Sequence, residues 1–338
     1  MTRVAAVDCG TNSLRLLVAD VEPASGARGG GPGGRLDDVA RQMEIVRLGQ
    51  GVDRTGRLAP QALARTFEVL RRYAETITAA GAVAVRMVAT SATRDAQNAD
   101  DFSTGVRAIL GIDPEVISGD EEAALSFVGA TAELARTCPH LVVDIGGGST
   151  EFVLGAPGGP ITASASFDIG CVRMTERHLH GDPPTVAEIM AATSDIDAAL
   201  EAVAVTMPAA GAARLVGLAG SVTTVAGIAL GLPSYQPSRL HHAQVSAHQV
   251  HAVAEHLLRS SHAQRAMIGV MHPGRVDVIG GGALILERVM TRFGFPQVLA
   301  SEHDILDGIA WSLASQRDCA ASSRPPTPGR YGDGRSPG

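Results

Sequence analysis

The chain contains no lysine; all 28 of its basic side chains are arginines. That excludes a Schiff-base lysine and the phosphate-binding lysines of P-loop proteins and protein kinases. Aromatic residues make up 3% of the sequence, so no stacking pocket for a purine is evident. Cys9, Cys138, Cys171 and Cys319 are widely scattered and form no CxxC pair, which fits neither a zinc site nor a disulfide framework. No apolar run approaches the roughly 20 residues that span a bilayer. The first residues, Met1, Thr2 and Arg3, enter a short apolar segment without the long apolar region and cleavage site of a secretory leader. A soluble, cytoplasmic protein without a membrane partner is expected. Positive charge is also in deficit: the net value is −7, so no global basic field attracts nucleic acid, and a polyanion must be met by local groups.

What is present suits two domains, since 338 residues exceed one hydrophobic core, and 45% hydrophobic with 19% charged residues is ordinary globular composition. Residues 4–8 and 14–21 read as two strands around a tight turn, and 24–35, with six glycines and one proline, as a mobile hairpin tip. Leu63, Phe67, Leu70, Ala74 and Ile77 form one helical stripe. Strands follow at 83–89 and 114–118, then a helix opening at Gly119-Asp120-Glu121-Glu122 and running to about 135. Residues 141–144 and 151–154 form a second strand–turn–strand unit. Helices are expected at 188–204, 248–259, 283–293 and 305–314, with a strand at 214–218. From 316 onward the chain lacks apolar periodicity and is expected to be disordered. The alternation of strands and helices makes the class α/β.

An internal echo carries the chemistry. Asp8-Cys-Gly10-Thr11-Asn12-Ser13 and Asp144-Ile-Gly146-Gly147-Gly148-Ser149 share Asp-x-Gly-x-x-Ser after a hydrophobic strand. Glycine leaves consecutive backbone N–H groups open to an anion, and Thr11, Asn12, Ser13 and Ser149 add hydroxyl and amide donors. Asp8 and Asp144, at the strand ends, suit the water shell of Mg²⁺. A single copy would read equally as a plain hairpin, because Asp-Gly and Gly-Gly are common turn residues. Gly217-Leu-Ala-Gly220-Ser221 and Asp277-Val-Ile-Gly280-Gly281-Gly282 also set glycine beside helix starts. They serve either anions or close packing of small residues. Arg173 is a further candidate contact for a phosphate chain. The histidines form no metal pattern: His241-His242 and His248/His251 lack an acid at the needed spacing, and His303-Asp304 is a pair without partners.

Asp8-Cys-Gly-Thr-Asn-Ser-Leu-Arg, Ile117-Ser-Gly-Asp-Glu-Glu-Ala and Asp144-Ile-Gly-Gly-Gly-Ser-Thr-Glu closely resemble the exopolyphosphatase/guanosine-pentaphosphate phosphatase family, within the larger group that includes actin. The resemblance runs from about residue 4 to 314, and is to a short form without the histidine–aspartate-type domain that longer relatives append. It implies two ribonuclease-H-like (actin-like) lobes with a cleft between them: residues 1–125, rejoined by a final helix at about 301–315, and residues 126–300, with 316–338 a tail. Carried over by position, Glu122 matches the glutamate that activates water, Glu151 a second glutamate that places water or metal, and Arg94 an arginine facing the phosphate cleft. The residues alone leave other readings open, since acids favour any helix N-terminus and Arg94 could sit on the surface. Which of Glu121 and Glu122 is the base rests on the resemblance.

The resulting expectation is an exopolyphosphatase. It would release terminal orthophosphate from inorganic polyphosphate with Mg²⁺ (or Mn²⁺) held by Asp8, Asp144 and Glu151. Phosphate would be gripped by both turns, Arg173, Gly220 and Ser221. The alternatives are a guanosine pentaphosphate (pppGpp) phosphohydrolase using the same residues, a kinase, and a non-catalytic alarmone sensor. A homodimer is left open.

Overall fold

A computed structural model of the chain describes residues 1–22, 34–134, 138–208 and 211–322, with side chains through 314. Most of the glycine-rich 24–35 segment, the Cys319 side chain and residues 323–338 lie outside what is described. The strands are β1 (Thr2–Cys9), β2 (Ser13–Glu22), β3 (Arg35–Ile45), β4 (Ala84–Ala89), β5 (Glu115–Val116), β6 (His140–Ile145), β7 (Thr150–Gly155), β8 (Ile161–Phe167), β9 (Arg214–Leu218), β10 (Gln244–Ser246) and β11 (Gln297–Ala300). They form two sheets, ordered β3-β2-β1-β4-β5 and β10-β11-β9-β6-β7-β8. Apart from the edge strand β10, one plan is repeated: an antiparallel three-strand meander, then two strands parallel to its first. This is the ribonuclease-H-like arrangement, present twice.

The predicted stripe of Leu63, Leu70 and Ile77 lies buried in the Pro60–Ala80 helix, started by proline at its first turn and stopped by Gly81 at φ 70°. β3 and β8 were not anticipated. Both are sheet edges with no fully buried residue, so they lack the apolar alternation that marks a strand. The last helix, Ile305–Ser322, runs past the expected end at 314, and so corrects the reading of a tail from 316. The expected division at 125/126 falls inside the Gly119–Thr131 helix.

Alternation along the strands decides what faces the middle of the molecule. Ala5, Val7 and Cys9 of β1 face the Pro60–Ala80 and Ala99–Leu110 helices, whereas Val4 and Ala6 face the Ile305–Ser322 helix. In β6, Leu141, Val143 and Ile145 enter the large core of the second half, and Val142 meets the Gly119–Thr131 helix. Asp8 and Asp144 have the parity of the inward-facing set. The two inner helices cross closely. A methyl on Gly129 would lie 1.8 Å from the Asp304 carbonyl oxygen, and one on Gly308 would lie 2.0 Å from that of Leu125. Only glycine permits this approach. No helix among the described residues is long and apolar enough to cross a membrane.

Candidate active site

Both Asp–Gly turns close with the same hydrogen bond: Gly10 N–H donates to the Ser13 carbonyl at 3.0 Å, and Gly146 N–H to that of Ser149 at 3.0 Å. The two turns touch, for a methyl on Gly147 would lie 2.8 Å from Thr11 Cβ. One cavity between them is lined by Asp8, Gly10, Thr11, Asn12 and Ser13 from the first turn and by Asp144, Gly146, Gly147 and Ser149 from the second. Glu122, Gly220 and Ser221 complete the expected residues in its wall.

The Gly119–Thr131 helix turns its two glutamates to different sides. Ser118 caps it by accepting from Glu121 N–H at 3.2 Å. Glu121 is exposed and pairs with Arg86 at 2.7 Å, on the outside. Glu122 faces inward, and one turn later Ser126 Oγ donates to Asp144 Oδ2 at 2.8 Å.

Glu151 stands directly across from Asp144 in the β6–β7 pair and is 1% exposed. It accepts from Ser166 Oγ at 2.8 Å. Burial, with Asp144 adding repulsion, raises Glu151 to about 7. Burial raises Asp8 to about 7, opposed by Arg15, and Asp144 to about 6. Burial also raises Glu122, reinforced by Glu151, Asp144 and Asp8. Four crowded carboxyl groups thus resist ionising together. Two buried oxygens, Asp8 Oδ1 and Glu151 Oε2, have no hydrogen-bond partner. Orphaned oxygens in a carboxylate cluster fit a hard divalent cation such as Mg²⁺ or Mn²⁺.

Two arginine expectations change. Arg94 does not line the cavity; it donates to the Ile117 carbonyl at 2.9 Å and pairs with Glu122 at 3.4 Å, behind the cavity wall. Arg173 is taken up elsewhere, by the Gly148 carbonyl at 2.7 Å and by Asp53 at 2.6 Å and Asp95, and it joins the two halves. Gly148 is likewise packed on Ser91 rather than lining the cavity. Gly281 and Gly282 admit close packing against Cys171, Thr175 and Ser221, so that glycine run serves helix packing.

The cavity's arginines are Arg15 and Arg275. Arg15 lies opposite Asp8 in the hairpin, 3.7 Å from Oδ2, and also pairs with Asp304. So Asp304, read from sequence as lacking partners, bridges the last helix to the first turn. Arg275 forms no salt bridge among the described residues, and a methyl on Gly220 would lie 2.1 Å from its Cζ. Gly220 therefore admits a guanidinium into the wall shared with a second, adjoining cavity lined by Arg41, Met43, Tyr235 and Met271. Beside Gly220, Ala219 holds a left-handed backbone at φ 66°, a strain of the kind found at functional sites. Aligning the echo through its eighth position would have flagged Arg15 against Glu151; Arg275 and Asp304 carry no local signal.

Two ribonuclease-H-like halves that close glycine turns over an acidic cavity define a class of two-lobed α/β phosphate-handling proteins. The comparisons are specific within it. The chain belongs to the Ppx/GppA phosphatase family, which matches residues 28–316. It is 50% identical over 324 residues to exopolyphosphatase 2 of Mycobacterium tuberculosis, covering 93% of this chain and 99% of that protein. Among solved structures, an exopolyphosphatase-like protein aligns with TM-score 0.86 and 40% identity over 92% of this chain and 97% of that one. The Aquifex aeolicus family member aligns with TM-score 0.77 and 27% identity over 94% and 99%.

Proposed function

We propose that the protein is an exopolyphosphatase that transfers the terminal phosphoryl group of inorganic polyphosphate to water. The observation that carries this reading is the cavity itself, where both Asp–Gly turns, Glu122 and two arginines converge. The 50% identical relative named an exopolyphosphatase supports it. The backbone N–H groups of the two turns, with Thr11, Asn12, Ser13 and Ser149, hold the terminal phosphate. Glu122, its proton affinity raised by burial, takes the proton from the attacking water. The phosphorus–oxygen anhydride bond then breaks, and orthophosphate leaves a chain shorter by one unit. Asp8, Asp144 and Glu151 would hold Mg²⁺ or Mn²⁺. That ion, when bound, neutralises charge developing on the phosphoryl oxygens.

In this reading Arg15 and Arg275 grip the chain where it leaves the catalytic cavity. Arg94 acts indirectly, by holding Glu122 in place. The carboxylate crowding makes the metal-free site hostile to a polyanion.

A second reading, hydrolysis of pppGpp, draws on the adjoining cavity, whose Met43, Tyr235 and Met271 offer apolar surface to a nucleoside. Phosphate release from polyphosphates of defined length, pppGpp and ATP at saturating Mg²⁺ tests both. The first is upheld if polyphosphate has the highest kcat/KM, and fails if pppGpp exceeds it tenfold or more.

A further inference from the structure

Residues that are scattered in the sequence meet beyond the C-terminal end of the Gly119–Thr131 helix, away from the catalytic cavity. Glu133 follows that helix; His241 and His242 follow the Pro237–Leu240 turn of helix; His303 precedes the last helix. The acid that spacing failed to supply is 108 positions away: Glu133 Oε2 lies 3.2 Å from His241 Nε2. His303 Nδ1 is 3.7 Å from Glu133 Oε1. The His241 ring stacks on His242 with centroids 3.8 Å apart and lies 4.4 Å from the ring of His303. This corrects the sequence reading of these histidines as lacking an acid or partners.

Two independent features mark the cluster as built for something. His242 Nε2 is buried and has no hydrogen-bond partner. Its backbone is held left-handed at φ 62° while its N–H donates to the Ala300 carbonyl at 2.8 Å. A side chain forced to a strained position and then left unsatisfied points to a missing ligand.

We infer that Glu133, His241 and His242, with His303 in reach as a fourth ligand, bind a divalent transition metal of the zinc class. Each of the first three offers one ligand atom within 4.8 Å of the others. Two donors on a tetrahedral zinc stand about 3.3 Å apart, given bonds of about 2.0–2.1 Å, so the Glu133–His241 spacing already suits one ion. Glu133 is exposed. Imidazole and carboxylate together select zinc and its neighbours over Mg²⁺, which prefers oxygen alone. His241 Nδ1 now accepts from Glu302 N–H at 3.2 Å. Coordination through Nε2 moves the ring proton to Nδ1 and gives up that contact. The bound ion would tie the helix that carries Glu122 to the loop that carries Asp304, and the inference is independent of the substrate.

The test is titration of the full chain with Zn²⁺ in excess Mg²⁺, read by competition with a chromophoric chelator and by Tm. One tightly bound equivalent and a Zn²⁺-dependent rise in Tm are expected. Glu133→Gln, which is exposed and leaves the rings in place, should weaken binding by at least about tenfold. His241→Gln and His242→Asn should abolish the Tm response; asparagine tolerates the left-handed backbone of residue 242. The proposal is overturned if wild type binds no equivalent tightly, or if Glu133→Gln and His241→Gln bind Zn²⁺ like wild type.

Discussion

The β1–β2 and β6–β7 hairpins share a turn, a closing hydrogen bond and an inward-facing aspartate, yet the residue across the strand pair differs in sign. Asp8 faces Arg15, and Asp144 faces Glu151. In the first, Asp8 and Asp304 share the cation Arg15. The second accumulates carboxylates and relies on hydroxyls, Ser126 for Asp144 and Ser166 for Glu151. The one exchanged position separates an arginine-bearing hairpin from one that carries only carboxylates. In the function proposed above, a cation and a water-activating base would sit with the carboxylates, and a polyanion against the arginine.

The largest expected effect comes from removing the proposed base. Glu122→Gln should lower kcat for phosphate release by roughly 10²–10⁴ without loss of Tm. Glu121→Gln, on the Arg86 side of the helix, should stay within about twofold. Reversal of these two outcomes would move the base by one residue.

Removing the shared arginine comes next. Arg15→Leu leaves Asp8 and Asp304 buried without their cation, a loss of about 3–5 kcal/mol by denaturant unfolding. The loss should shrink at low pH, where Asp8 is protonated. If it is equal at pH 5 and pH 8, the pairing contributes nothing.

The buried carboxyl groups of both hairpins give a smaller effect of definite sign. Asp8, Asp144 and Glu151 hold protons to about 7, 6 and 7 in the folded chain, against 3.8, 3.8 and 4.5 as ordinary values. Their stabilising contribution is complete below about pH 4 and is lost as pH rises through 6 to 7. In chelator, Tm should thus fall between pH 5 and 8, and Mg²⁺ should raise Tm more at pH 8 than at pH 5. Activity should vanish in chelator and return with Mg²⁺ or Mn²⁺. Glu151→Gln should flatten the metal-free pH profile while lowering activity; an unchanged profile would remove Glu151 from the cluster.

The smallest effect is at Arg94, whose charge lowers the proton affinity of Glu122 from behind the cavity wall. Arg94→Ala should shift the acidic limb of the kcat profile to higher pH, with about a tenfold loss near neutrality. Arg94→Lys should recover part of it. A loss in KM with no shift of the limb would instead return Arg94 to the phosphate grip.

The α/β alternation, both glycine turns and the helix opening at Gly119 were legible in sequence because each signal spans only a few residues. Strand β3 was illegible, since an edge strand with no buried residue has no apolar rhythm. The apolar runs ending in Asp8 and Asp144, and the glycines after them, dictate strand-then-turn through local sterics, whatever surrounds them. Sequence therefore determined two equivalent turns and an acidic helix start. Only the tertiary structure decided that Glu122 rather than Glu121 faces inward and that Arg15 rather than Arg173 meets the cavity. It alone brought Arg15 to Asp304, 289 positions away, and Glu133 to His241. Such pairings depend on where two sheets and two crossing helices come to rest, and that is fixed by burial and by the glycine contacts at Gly129 and Gly308, not by spacing along the chain.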